Sequence, residues 1–217
     1  MISALIWELI NNFNPNFNKM AIHITSKTKP LRLKPTDEVE LREIVEQELD
    51  RQGPDADLNF IDTSLITDMR GLFYSFRGIK NIKIDKWDVS NVLDMRSMFG
   101  KCYEFNADLS KWDTSKVINM SHMFLECYKF NSDLSSWDTS SAVNMEAMFS
   151  ECTIFESDLS EWNTGKVTYM SSMFQKCTKF ESDLSAWDVS NVKKNGGMFY
   201  MCTKMIGKKH LQPKFNI

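Results

Sequence analysis

Between residues 60 and 207 the apolar positions return every 25 residues, a period longer than any helix or strand rhythm. In "DLSKWDTSKVINMSHMFLECYKFNS" (108–132) they are Leu109, Trp112, Val117, Met120, Met123, Phe124, Cys127 and Phe130. The same letters reappear in 133–157, with Ala142 for Val117, and in 158–182, while the polar letters between them drift. The rows are strict. Trp87, Trp112, Trp137, Trp162 and Trp187 form one; Met98, Met123, Met148, Met173 and Met198 another. Phe99, Phe124, Phe149, Phe174 and Phe199 keep the step, as do Cys102, Cys127, Cys152, Cys177 and Cys202. Met95, Met120, Met145 and Met170 form a further row until Asn195 breaks it. An upstream stretch, "IDTSLITDMRGLFYSF", reads as a degenerate copy in front of five full units.

A 25-residue unit cannot bury enough apolar surface to offset the entropy of ordering itself, so units must stack. We read "DLSxW" as a short strand pairing in parallel with its copies, and "MFxxC" as one helical turn on the other side. The segment "xVxxM" is left open as helix or second strand. The expected fold is therefore an α/β repeat solenoid with one short parallel strand and one helical turn per unit. The expected organisation is an N-terminal arm or upstream sequence ahead of a true start at Met20 (1–25), an N-terminal cap (26–59), the repeats (60–207) and a tail (208–217).

The cap carries a helix, expected over 36–52. Thr36 or Asp37 stands at its start, acidic residues fill its first turn, and Val39, Leu41, Ile44, Val45 and Leu49 make an apolar stripe. Gly53-Pro54 ends it. Such a helix is placed to cover the raw first rung. At the far end "NVKKNGGMF" departs from the pattern, and Lys and Pro in the tail discourage strand addition.

The letters of "WDVSNVLDMRSMFGKC" and "FNADLSKWDTSKV" resemble the BspA-like leucine-rich-repeat family of bacterial surface proteins in its mycoplasma-type form, over about residues 60–205. The stretch 36–69 also resembles the entry segment that such proteins place before their repeats. The resemblance implies that the solenoid is a right-handed, leucine-rich-repeat-like stack, with a binding or adhesion role, a secreted or surface location, and no reaction.

Composition changes this picture little. With 42% hydrophobic and 25% charged residues the chain is of ordinary globular make-up. A net charge of −3 gives no basic footprint for nucleic acid. No apolar run is long enough for a transmembrane helix. "MISALIWELINNF" lacks the basic start and cleavage site of a secretory signal. A row of free Cys points to a reducing compartment, against the surface location that the resemblance implies, so localisation stays open.

The candidate chemistry reduces to packing and capping. Cys at a spacing of 25 does not suit zinc, and five equivalent thiols pointing one way read as a buried row rather than disulfides. Asp88, Asp113, Asp138 and Asp188 share one position, with Asn163 between them; Asp108, Asp133, Asp158 and Asp183 share another. A calcium ladder would use them, but an amide at 163 suits backbone capping better. The "WD" pairs recur too closely for a propeller blade. His23, His122 and His210 are scattered. No cofactor and no catalytic group is expected.

The expected function is a non-catalytic scaffold for protein–protein interaction or adhesion through variable outward positions, acting as a monomer. The alternative is a structural or self-assembling repeat protein. The candidate binding face is the residue before each Trp (Lys86, Lys111, Ser136, Glu161, Ala186), set on the expected strand. A second row lies two residues after each Cys: Glu104, Lys129, Ile154, Lys179 and Lys204. The partner, protein or glycan, is not identified by the letters.

Overall fold

Most peptide groups of a 25-residue unit have no helical or hairpin partner nearby in sequence, so their hydrogen bonds must come from tight turns or from the neighbouring unit. The computed structural model describes residues 32–215 and uses both sources. The expected arm over 1–25 lies outside the described residues, as do the first residues of the expected cap.

The capping helix, α1, runs Glu38–Gln52. Of the two expected caps, Asp37 serves: its Oδ1 accepts from the N–H groups of Val39 (3.0 Å) and Glu40 (2.9 Å). Thr36 instead donates its N–H to Glu40 Oε2 at 2.8 Å. Gly53 closes α1 at φ 83, its N–H donating to the Leu49 carbonyl. Leu41, Ile44, Val45 and Leu49 are buried against the repeats, whereas Val39 of the expected stripe is exposed.

The repeats are not an α/β solenoid. Among the described residues there is no strand, and α1 is the one α-helix; a single 3-10 turn, Lys209–Leu211, follows the repeats. Neighbouring units meet in isolated parallel bridges, running Asp68–Asp94–Asn119–Asn144–Tyr169–Lys194. These fall in the segment left open as helix or strand, which is neither. The expected strand "DLSxW" is a turn, closed by the Trp112 N–H donating to the Leu109 carbonyl at 3.2 Å.

The expected helical turn "MFxxC" fails for a different reason. The N–H groups of Met123, Leu125 and Cys127 donate three residues back, to Met120, His122 and Phe124. Those of Met120, His122, Phe124 and Glu126 instead donate to the next unit, at Asn144, Glu146, Met148 and Ser150, over 2.8–2.9 Å. Alternate peptides thus lie within the unit and along the stack. An α-helix points every peptide the same way, so it cannot serve both directions. The alternation puts His122 (φ 59) and Glu126 (φ 60) in the left-handed region, and their equivalents follow in the other units. The steps of 3, 3, 1 and 3 between apolar letters imitate a helical face, because turns also close at three residues.

The fixed letters seal the joints. Trp112 Nε1 donates to the Ile84 carbonyl of the preceding unit at 3.0 Å, and Cys127 Sγ to the Phe99 carbonyl at 3.0 Å. Thr114 Oγ1 donates to the Asp138 carbonyl of the following unit at 2.9 Å. Aromatic rings stack along the axis in three files. Phe99, Phe124, Phe149, Phe174 and Phe199 keep centroids 5.7 Å apart. Phe105, Phe130, Phe155 and Phe180 keep 5.8 Å. Trp112, Trp137, Trp162 and Trp187 stand 6.4–6.5 Å apart. Offset stacking of this kind adds about 0.5–1.5 kcal/mol per pair beyond burial.

One consequence is directional. Four peptides per unit point N–H toward the C-terminal end and C=O toward the N-terminal end, so their dipoles add. The sense is opposite to that of an α-helix. At the N-terminal end Arg42 of α1 meets two outward carbonyls, donating to Leu72 (3.3 Å) and Arg70 (3.3 Å), and donates as well to the turn carbonyl of Gly71 (3.0 Å). At the other end the tail closes one side only: the Leu211 carbonyl accepts from the Leu184 N–H at 2.8 Å.

Candidate functional site

The row before each Trp does not lie on a strand. Each member sits at a turn, on the outside of its unit, and Lys86, Lys111, Ser136, Glu161 and Ala186 are all exposed. A turn places the side chain outward because the Trp after it must point in. Ser136 Oγ donates to the Ser110 carbonyl at 2.8 Å. Among the described residues the charged groups of Lys86, Lys111 and Glu161 make no side-chain hydrogen bond or ion pair.

The row after each Cys, Glu104, Lys129, Ile154, Lys179 and Lys204, is exposed as well. It borders a face that is already self-paired. Residues just before each Cys take left-handed conformations at Lys101, Glu126, Glu151, Lys176 and Met201, with φ between 57 and 67. There Lys176 Nζ meets Glu151 Oε1 at 2.6 Å. Tyr103 and Tyr128 stack at 5.2 Å, and the Arg77 guanidinium lies 5.3 Å from the Tyr103 ring centre. Sequence reading missed this tyrosine pair because the aromatic occurs there in two units only and drops out of the consensus. Thr153 and Thr178 continue the file, donating to the carbonyls of Tyr128 and Thr153.

The Asp rows form Asx turns. Asp108 Oδ1 accepts from the Ser110 hydroxyl (2.7 Å) and N–H (3.0 Å), and Asp113 from the Ser115 N–H (3.1 Å). Asn163 takes the same role with the Gly165 N–H at 3.1 Å. These bonds favour the charged form, so the carboxyls of Asp108, Asp113, Asp133, Asp158, Asp183 and Asp188 are held below the usual range. Among the described residues no group of three or more His, Cys, Asp or Glu is placed to hold a metal ion.

All five thiols are free and fully buried. Burial pushes the Cys102 thiol up to about 12 and Cys202 to about 11, with Cys127, Cys152 and Cys177 also raised. They are hydrogen-bond donors to the preceding unit, not nucleophiles. An open cavity of about 450 Å³ lies where α1 meets the degenerate unit, lined by Leu49, Asp50, Pro54, Phe76, Arg77 and Ile79. No helix among the described residues is long and apolar enough to cross a membrane.

The outward rows thus offer changeable, solvated side chains on a backbone held by invariant inward ones. No curated protein matches the chain, and no solved structure does. A family model does, twice, over residues 45–153 and 134–212, and the overlap is what a tandem repeat produces. The chain belongs to the family described as "Mycoplasma protein of unknown function, DUF285".

Proposed function

We propose that the chain is a non-catalytic repeat scaffold for protein–protein interaction, read through the row before each Trp. The observation that carries this is the division of labour between positions. Trp87, Trp112, Trp137, Trp162 and Trp187 are buried, while the residue ahead of each is exposed. That row changes from Lys86 and Lys111 to Ser136, Glu161 and Ala186, so a partner reading it meets basic residues at the first units and acidic or neutral ones later. The resemblance of the repeat letters to BspA-like surface proteins supports an interaction role.

The test reverses the gradient with Lys86→Glu, Lys111→Glu and Glu161→Lys together. Exposed charges change stability by about 0.5 kcal/mol or less, so the melting curve should hardly move. Capture of a partner by immobilised protein should fall sharply, and more at low salt than at high. Equal capture by both proteins moves the binding face to the row after each Cys.

A further inference from the structure

The C-terminal end of the stack leaves a row of donors open. In the preceding unit the N–H groups of Met170, Ser172, Phe174 and Lys176 donate to Lys194, Gly196, Met198 and Tyr200. Their equivalents one unit on are Asn195, Gly197, Phe199 and Met201, and none of these N–H groups meets an acceptor among the described residues. The tail covers the Leu184 side of this end, and none of its described residues accepts from them. From Asn195 to Met201 the edge therefore offers donors only, with the outward carbonyl of Lys193 at one end. An ordinary strand edge alternates donors and acceptors. A β-strand laid here would set some of its own N–H groups against these.

Charge has the same sense. These four N–H groups end four files of aligned peptides at the positive pole. Residues 189–217 carry six lysines (Lys193, Lys194, Lys204, Lys208, Lys209, Lys214) and no carboxylate side chain, in a chain of net charge −3. Lys208 is taken by Glu181. In the same terminal segment Tyr200, Met201 and Ile206 are exposed by 61%, 51% and 63%, the most open large apolar side chains among the described residues apart from Val39.

We propose that this end is a docking site for a short acidic, apolar-bearing segment of a protein partner. Carboxylates accept hydrogen bonds without donating any, so they match a donor-only edge where a peptide backbone does not. The lysines supply attraction, and Tyr200, Met201 and Ile206 supply apolar contact. A long polyanion fits poorly, because Glu181 of the preceding unit pairs with Lys208, and Asp183 and Asp188 of the last unit are exposed. The proposal rests on the scaffold reading only in taking the ligand to be protein, and it does not use the row before each Trp.

The experiment uses the full chain and a synthetic octapeptide alternating glutamate and leucine, with a lysine–leucine octapeptide as control. Titration followed by fluorescence anisotropy should show binding of the acidic peptide alone. Lys193→Glu with Lys194→Glu should weaken it about tenfold or more, while Lys86→Glu with Lys111→Glu should leave it unchanged. Backbone amide signals of Gly197, Phe199 and Met201 should shift in nitrogen-15 spectra as the peptide is added. Binding without those shifts, or binding indifferent to the Lys193/Lys194 reversal, overturns the proposal. So does tighter binding of duplex DNA or anionic vesicles at this end, or self-association lost on the same reversal, which would give the site to a second copy. Loss of partner capture in the gradient-reversal variant with this titration intact would separate the lateral face from the end.

Discussion

At the N-terminal end the outward carbonyls of Arg70 and Leu72 meet the Arg42 guanidinium under α1; at the C-terminal end the outward N–H groups of Gly197 and Phe199 meet no acceptor among the described residues. The same aligned peptides produce both situations. At the negative pole one planar cation satisfies several acceptors at once. At the positive pole the chain supplies more positive charge, Lys193 and Lys194, and no acceptor for these N–H groups among the described residues. The first arrangement closes an end; the second keeps it available. The difference teaches that an array in which most of the peptides joining the units point one way has two chemically distinct ends, which call for different caps.

Substitutions in the Trp file break this comparison most strongly. Trp137 stacks between Trp112 and Trp162, whereas Trp187 stacks on Trp162 alone. Trp137→Ala should lower stability by about 3–5 kcal/mol, and Trp187→Ala by clearly less, in denaturant titrations. Equal losses would mean that the two ends are equally supported. Next in size is the cap. Arg42→Met keeps the apolar stem and removes two hydrogen bonds to the carbonyl pole and one to Gly71, and about 2–3 kcal/mol should go with them. Lys194→Met at the opposite pole should stay within about 0.5 kcal/mol in the same titration. If the two substitutions matched, the carbonyl pole would not need a cation.

Smaller effects sharpen the interior of the stack. Glu126 holds φ 60, where a β-branched side chain is strained, so Glu126→Val should cost about 1–2 kcal/mol and Glu126→Gly close to nothing by thermal melting. Met201→Val, at the equivalent position on the open end, should cost less because that edge can relax. In acid, the carboxyls held low by Asx-turn bonds give stability that is fully present above their unfolded pKa of about 4 and lost as pH falls through their lower folded values. Denaturation midpoints compared at neutral pH and near pH 3 check this. The thiols act in the opposite direction. Their raised pKa gives stability present below the unfolded thiol pKa of about 8.5 and lost as pH climbs toward about 12 for Cys102. Thiol labelling at mildly alkaline pH should reach Cys202, beside the open end, before the other four.

Much of this arrangement was legible in the letters. A strict row of Trp, Met, Phe and Cys at one spacing marks residues that meet their own copies, and all of those rows but the last Phe, half-covered Phe199, are buried. The drifting residue before each Trp is exposed. Asn163 standing in for Asp already spoke for a capping amide oxygen, and it accepts from Gly165. Asp37 and Gly53 bounded α1 because their chemistry acts within a few residues. What stayed illegible was the course of the backbone inside the unit. Short turns and a single helical turn both bring apolar letters back at steps of three, and a side-chain row does not report which way its peptide points. Left-handed φ was hidden too, since Gly occupies that position at Gly71 and Gly197 while Ser97, His122, Ala147 and Ser172 hold it between.

The sequence by itself determined the length of the unit, which side chains face inward, and the helix that stands ahead of the repeats. These depend on hydrophobicity and on contacts a few residues apart. Only the tertiary structure decided that the units are built from turns rather than strands and helices, that their peptides align into a pole at each end, and that Arg42 covers one pole while Lys193 and Lys194 flank the other. Those outcomes depend on hydrogen bonds between residues about 25 positions apart, whose direction no local letter encodes.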